Sequence, residues 1–116
     1  MATQWTVLRI DFGVQIGHEM AFERPALVVS NDSYQILRMI VVCPFTGTDR
    51  DVGAHEIKLS PPVGGLTEES ILMIHQVRSV SEDRVVDILG TIADPVIKRE
   101  VREELESLFD FGIGMP

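Results

Sequence analysis

Cysteine is almost absent from this 116-residue chain: Cys43 is the only one, so no disulfide can close within it. Cys43 sits in the apolar run Met39-Ile40-Val41-Val42-Cys43, where the surroundings raise a thiol's pKa, which favours a buried, inert side chain over a nucleophile. Long hydrophobic runs are missing too. None approaches the ~20 residues needed to cross a bilayer, and no N-terminal stretch joins a basic start to an apolar block and a small-residue cleavage site. The expected location is the cytoplasm. There is no Cys/His spacing of the zinc type and no glycine-rich phosphate loop ahead of a helix, so neither a metal nor a nucleotide cofactor is expected. Aromatics amount to 6%, which leaves few side chains on which bases could stack. Positive charge is scarce: ten Lys/Arg face eighteen Asp/Glu, a net charge of −8. That argues against the broad basic footprint of a protein held to long nucleic acid by counterion release. The imbalance is uneven, with five basic and seven acidic residues up to position 60 and five against eleven after it. A locally positive groove built from first-half residues is compatible with this pattern.

What is present is a series of short strand patterns. Trp5 to Phe12 alternates, with Thr6, Leu8, Ile10 and Phe12 on one side and Arg9 and Asp11 on the other, the period of a half-buried strand. Residues 13–23 carry two glycines, His18, Glu19 and Glu23 without periodicity, and they read as a long hairpin loop leading to a second strand at Pro25-Ala26-Leu27-Val28-Val29. Ser30-Asn31-Asp32-Ser33 is a turn cluster, Met39 to Phe45 suits a central strand, and Gly47 to Gly53 reads as a flexible loop. His55 to Leu59 and Ile71 to Ile74 are further strands around the breakers Ser60-Pro61-Pro62-Val63-Gly64-Gly65. Ser81 before Glu82-Asp83 predicts the cap of a short helical turn, and Val86 to Ile92 a last strand. The tail changes period: Asp94 suits an N-cap, Pro95 the first helical position, and Ile97, Val101, Leu105 and Leu108 recur at helical spacing. A helix over 94–111 is expected to pack by that stripe, with its acidic face wet. The expected fold is mainly β with a C-terminal helix, one small curled sheet or barrel over residues 1–116.

Three segments together resemble the MazF/PemK toxin family. Gly17-His18-Glu19 followed by Arg24-Pro25-Ala26-Leu27-Val28-Val29 is similar to that family's G-x-E…R-P-x-L-V-V pattern. Val41-Val42-Cys43-Pro44-Phe45-Thr46 is similar to its strand ending in Pro-hydrophobic-Thr, and the stretch from Gly64-Gly65-Leu66 through Ser70-Ile71-Leu72 to Gln76-Val77-Arg78-Ser79 is similar to the one ending in acid-Gln-x-Arg-Thr/Ser. Order and spacing agree over about three quarters of the chain; each motif alone would be weak. Two places depart from the pattern. Thr3 and Gln4 stand where the family opens with Arg-Gly-Asp/Glu, and His75 stands where an acid is common.

The resemblance implies a dimeric SH3-like barrel of the MazF/CcdB type and a type II toxin. Its activity would be metal-independent, sequence-specific endoribonucleolytic cleavage of single-stranded RNA, giving 2′,3′-cyclic phosphate and 5′-hydroxyl ends. Such chemistry uses the neighbouring 2′-hydroxyl, so the protein must hold the phosphodiester, stabilise a crowded phosphorane and move protons. Arg24 would be the phosphate clamp, a fixed fork of donors that is always charged; without the resemblance it would read as a surface arginine paired with Glu23 or Glu19. Thr46 would donate its hydroxyl to a phosphate oxygen, where otherwise it is an ordinary strand residue. Arginine is a poor base, so proton transfer falls to His18 and to His75, the latter in the role of the usual carboxylate or as a base contact. His75 reads equally as a strand-end residue half-buried at a dimer surface. Glu19, Gln76 and Arg78 would contact bases or phosphates, and Phe22 is either a base-stacking platform or a loop anchor in the core. His55 has no such role and is expected to face solvent. The implied partners are a second copy of the chain and a MazE-like antitoxin with an acidic tail occupying the RNA groove. Two other readings stay open: a non-enzymatic CcdB-like toxin that binds a topoisomerase, and an inactive RNA-binding module on the same fold. Neither needs the Arg24 and Thr46 pair.

Overall fold

β1 (Thr6–Asp11) and β2 (Glu23–Val28) form the first hairpin of the computed structural model, which describes residues 3–14, 16–18 and 22–112. Four further strands follow in β3 (Met39–Thr46), β4 (Glu56–Leu59), β5 (Ser70–Met73) and β6 (Arg78–Ser81), before β7 (Val85–Thr91) and the helix α1 (Pro95–Leu108). All pairings are antiparallel, in the order β4-β5-β3-β2-β1-β7. β6 also lies along β3. The eight-residue β3 is therefore forked on one edge: Met39 to Val42 pair with β6, and Phe45 and Thr46 with β5. Register shifts between Val7 and Leu8 and between Arg9 and Ile10 bend β1 against β7, a device that curls a sheet.

The curled sheet buries both of its faces. One face carries Val7, Leu27, Cys43, Phe45, Leu72 and Ile92 and is covered by α1 through Val101, Ile97, Leu105 and Leu108. The other carries Leu8, Ile10, Phe12, Ala26, Val28, Ile40, Val42 and Val80. The half-buried reading of β1 thus needs correction: Val7, on the Arg9 side, is as fully buried as Leu8. Each fully buried Leu or Ile contributes roughly 1.5–3 kcal/mol, so the two clusters are the main source of stability. Cys43 lies within the first, and burial pushes its thiol up to about 12, in line with an inert side chain.

The helix begins as expected, with the Asp94 carboxylate accepting from Val96 N at 2.8 Å and Pro95 in the first turn. It stops at Leu108, short of Phe111, because the apolar stripe ends there. Phe109 and Phe111 are exposed. The strand expected over Ile71 to Ile74 ends at Met73, Ile74 opening an unread 3-10 turn to Gln76, and two other elements also went unread in the sequence. Residues Asp32–Leu37 form a 3-10 helix capped by Asn31, with no buried residue to give it a period. β6 is four residues long with only Val80 buried. The short turn after Ser81 is present, its hydroxyl accepting from Asp83 N at 3.1 Å. His55 corrects its expectation: it is half-buried, its Nδ1 lying 3.2 Å from Glu104 of α1.

Candidate active site

Antiparallel partners that face each other across a ladder project to the same side of a sheet. Arg24 is opposite Ile10, so it lies on the face of Leu8, Ile10 and Phe12. Ala26 is opposite Pro44 and Val28 opposite Val42. Carried two residues further, that register sets Arg24 across from Thr46 on the same face. Arg78 is opposite Val42, and its guanidinium lies 5.5 Å from the centroid of the Phe12 ring. The ends of β2, β3 and β6 thereby gather Arg24, Thr46 and Arg78 on the face away from α1. Arg84 joins them, its Nη1 donating to the Asp11 carbonyl at 3.2 Å. The arginines brought together here are thus not drawn from the first half alone, since Arg78 and Arg84 come from the acidic half. A planar guanidinium lying on an aromatic ring is held in orientation at a cost to neither charge nor donors.

The loop between β1 and β2 borders this face. Phe12 N donates to the Phe22 carbonyl at 2.9 Å and Phe22 N to the Gly13 carbonyl at 2.7 Å, which closes the loop's base. Phe22 has a left-handed backbone (φ 61) and is 67% exposed, so its ring is presented outward and does not anchor the core. Gln76 donates its side-chain amide to the His18 carbonyl at 2.9 Å, tying the loop to the 3-10 turn Ile74–Gln76. His18 is exposed. Glu19 lies outside the described residues.

His75 stands beside Gln76 with its ring turned to a different partner, Nε2 lying 2.8 Å from Glu56 Oε2. Glu56 is a residue the sequence did not single out. Its side chain is only 3% exposed, yet it is ionised and fully engaged. Arg50 donates to both oxygens at 2.7 and 2.6 Å, and Gly53 N donates to Oε1 at 2.7 Å. Arg50, His75 and Gly53 together hold the carboxyl at about 2 despite the opposing effect of burial. The supposedly flexible loop of 47–53 is thus pinned at Arg50 and Gly53. No local signal marks this trio, because 19 positions separate Glu56 from His75. Among the described residues, no group of three His, Cys, Asp or Glu is placed to hold a metal ion, and no helix is long and apolar enough to cross a membrane.

A prediction about stability follows from Glu56. Its folded pKa lies below the ~4.3 of a free glutamate, so its stabilising contribution is complete above that value and is lost as pH falls towards about 2. Thermal unfolding followed from pH 6 to pH 2 should show a steeper loss of melting temperature in the wild type than in Glu56→Gln. Parallel curves would contradict this.

A cleft of about 440 Å³ between residues 60–65 and the start of α1 lies on the helix side of the sheet, remote from the arginines. Its lining includes Pro62, Gly64, Gly65 and Ala93, with Asp94 as the one charged residue among them.

A family model described as PemK-like, MazF-like toxin of type II toxin-antitoxin system matches residues 3–109. A probable endoribonuclease MazF of Mycolicibacterium smegmatis is 31% identical over 80 residues, 68% of this chain and 73% of that protein. The crystal structure of MazF (Form-I) from Deinococcus radiodurans superposes with a TM-score of 0.79 at 25% identity, over 95% of this chain and 97% of that one. An endoribonuclease in complex with its cognate antitoxin, from a mycobacterial species, shares the fold over the whole of both chains, with a TM-score of 0.74 at 20% identity.

Proposed function

The chain belongs to the PemK-like, MazF-like toxin family of type II toxin-antitoxin systems, and from that premise we propose that it is a metal-independent endoribonuclease. It cuts single-stranded RNA at a short sequence and leaves 2′,3′-cyclic phosphate and 5′-hydroxyl ends. The observation that carries this reading is the shared sheet face of Arg24, Thr46 and Arg78 at the ends of β2, β3 and β6. In this mechanism the 2′-hydroxyl attacks the adjacent phosphorus. The Arg24 fork binds the non-bridging oxygens as they gain charge, and the Thr46 hydroxyl donates to one of them. His75 takes the proton of the 2′-hydroxyl as the new O–P bond forms, and His18 returns one to the departing 5′-oxygen. Gln76, Arg78 and Glu19 hold bases and backbone, and the exposed Phe22 ring gives one base a stacking surface.

The family match over 3–109 favours treating residues 1–116 as one functional domain. By the same kinship the toxin works in the cytoplasm as a homodimer. An antitoxin whose acidic tail competes with RNA for the arginine face silences it. The deciding experiment is incubation of a long single-stranded RNA in EDTA with antitoxin-free protein, mapping the new 5′ ends. Cuts at a recurring motif support the proposal. No cuts by an intact dimer would instead favour a topoisomerase-binding toxin or a catalytically silent module. Thr46→Val, at this partly exposed strand end, should lower the cleavage rate by ~10²-fold with less than about 1 kcal/mol change in stability. Equal loss of rate and of fold would mean that the hydroxyl serves structure instead.

A further inference from the structure

The Glu56 carboxylate is acceptor-only when ionised, so every hydrogen bond it makes fixes a hydrogen on the partner. One of its contacts is the imidazole of His75, whose Nε2 lies 2.8 Å from Oε2. In the neutral ring Nε2 must then carry the hydrogen, which leaves the Nδ1 lone pair free. The carboxylate is itself immobilised, 3% exposed and held on both oxygens by Arg50 and on one by the Gly53 amide. His75 is about one third exposed, and its neighbour Gln76 is bonded to the His18 carbonyl. The 74–76 turn is thus joined to the β1–β2 loop through Gln76 and to β4 through the His75 ring.

We propose that Glu56, clamped by Arg50, is the positioning residue of His75, fixing the ring's orientation and tautomer so that Nδ1 is the atom that takes the 2′-hydroxyl proton. This rests on the ribonuclease reading above. Nδ1 gains the proton as O2′ bonds to phosphorus; the P–O5′ bond breaks, and the 5′-oxygen receives its proton from His18. Other titratable and charged groups on the elements packed here are Arg50 and Glu56, His18, whose backbone carbonyl is bonded to Gln76, and Glu104 of α1. That helix packs on the 74–76 turn, and Glu104 is already paired with His55. An acid at position 75 would be repelled by Glu56, whereas a histidine is held by it. The departure of this chain from the family pattern at 75 thus comes with its own support.

The test is a double-mutant cycle at saturating RNA, joined to ¹⁵N signals of the neutral His75 ring. Glu56→Gln should lower kcat ~10-fold with KM within about twofold, and His75→Asn ~10²-fold, while Glu56→Gln added to His75→Asn should cost nothing further. In the spectra, wild type should show a bare Nδ1 and a protonated Nε2, and Glu56→Gln a mixture of tautomers. If Glu56→Gln does not fold, Glu56→Asp keeps the charge and draws the oxygens back by one methylene, with the same expectations. An equal rate loss in both backgrounds, or an unchanged tautomer in the variant, overturns the proposal. A wild type that cuts no RNA removes the ribonuclease reading, and the ring signals then decide the positioning claim by themselves.

Discussion

Arg24→Ala should fold as the wild type does and cleave single-stranded RNA at least ~10³-fold more slowly, because a phosphorane loses its one bidentate donor. The position explains why the two effects separate. Arg24 is half-exposed at the start of β2, next to the end of the ladder with β3, so truncation opens no cavity in either cluster and should cost about 1 kcal/mol or less. Arg24→Lys is the sharper variant, retaining the charge and losing the planar fork. A loss of ~10²-fold or more there would place the contribution in geometry over net charge. Rates are read with a short fluorescent RNA containing the mapped motif, and folding from thermal melts. Activity within ~10-fold of wild type in Arg24→Ala would mean that Arg78 or Arg84 holds the phosphate, and the roles on this face would have to be reassigned.

The largest effect on stability is expected from a single methyl group at Gly65. A Cβ there would lie 1.9 Å from the Leu89 carbonyl oxygen and 2.5 Å from its carbon, and the backbone has φ +74. The obstacle is the backbone of β7, which cannot swing aside as a side-chain tip can, and the left-handed conformation adds its own penalty. Gly90 is tight from the other side, a Cβ meeting Gly64 C and Gly65 N at 2.7 Å. Gly65→Ala should therefore lose about 4 kcal/mol or more, a large share of the ~5–15 kcal/mol that holds a domain folded. Its melting temperature should fall by more than about 15 °C. Gly47→Ala, with open space around the added atom, is the control and should change stability by less than about 0.5 kcal/mol. If both variants melt alike, the segment 64–65 does not press on β7 as described.

The parts of this fold that were legible in the sequence are those whose residues carry a period. β1, β2 and β3 announce themselves through alternating or continuous β-branched residues, and α1 through Asp94, Pro95 and a stripe of four aliphatics. β6 and the 3-10 helix after Asn31 do not, because tertiary pairing creates the first and a capping side chain the second, with hardly a buried residue between them. The candidate site divides in the same way. Arg24, Thr46, Gln76 and Arg78 could be picked out only through resemblance, since nothing in their own chemistry separates them from surface or strand residues. Register then explains why Arg24, Thr46 and Arg78 share a face, and a side-chain bond to the His18 carbonyl places Gln76. Glu56, Arg50 and Arg84 were invisible, because their significance lies wholly in contacts across 6 to 73 positions of chain. His55 was misjudged for the same reason: its partner Glu104 is 49 residues away.

The fork in β3 has a bearing on how such a toxin could diversify. The chain leaves β3 at Thr46, makes the β4–β5 hairpin, and returns to the other half of the same strand edge as β6. Arg24 and Arg78 are carried by β2 and β6, outside this excursion, which holds the Arg50–Glu56–His75 group and meets β3 at Thr46 opposite Ile71. On the proposed ribonuclease reading, lengthening or recharging the connection over 60–69, which carries none of the candidate site residues, should alter which nucleotides are admitted without moving Arg24 or Arg78. Replacement of that connection alone would leave Arg24, Thr46, Arg78 and the Glu56–His75 pair where they stand.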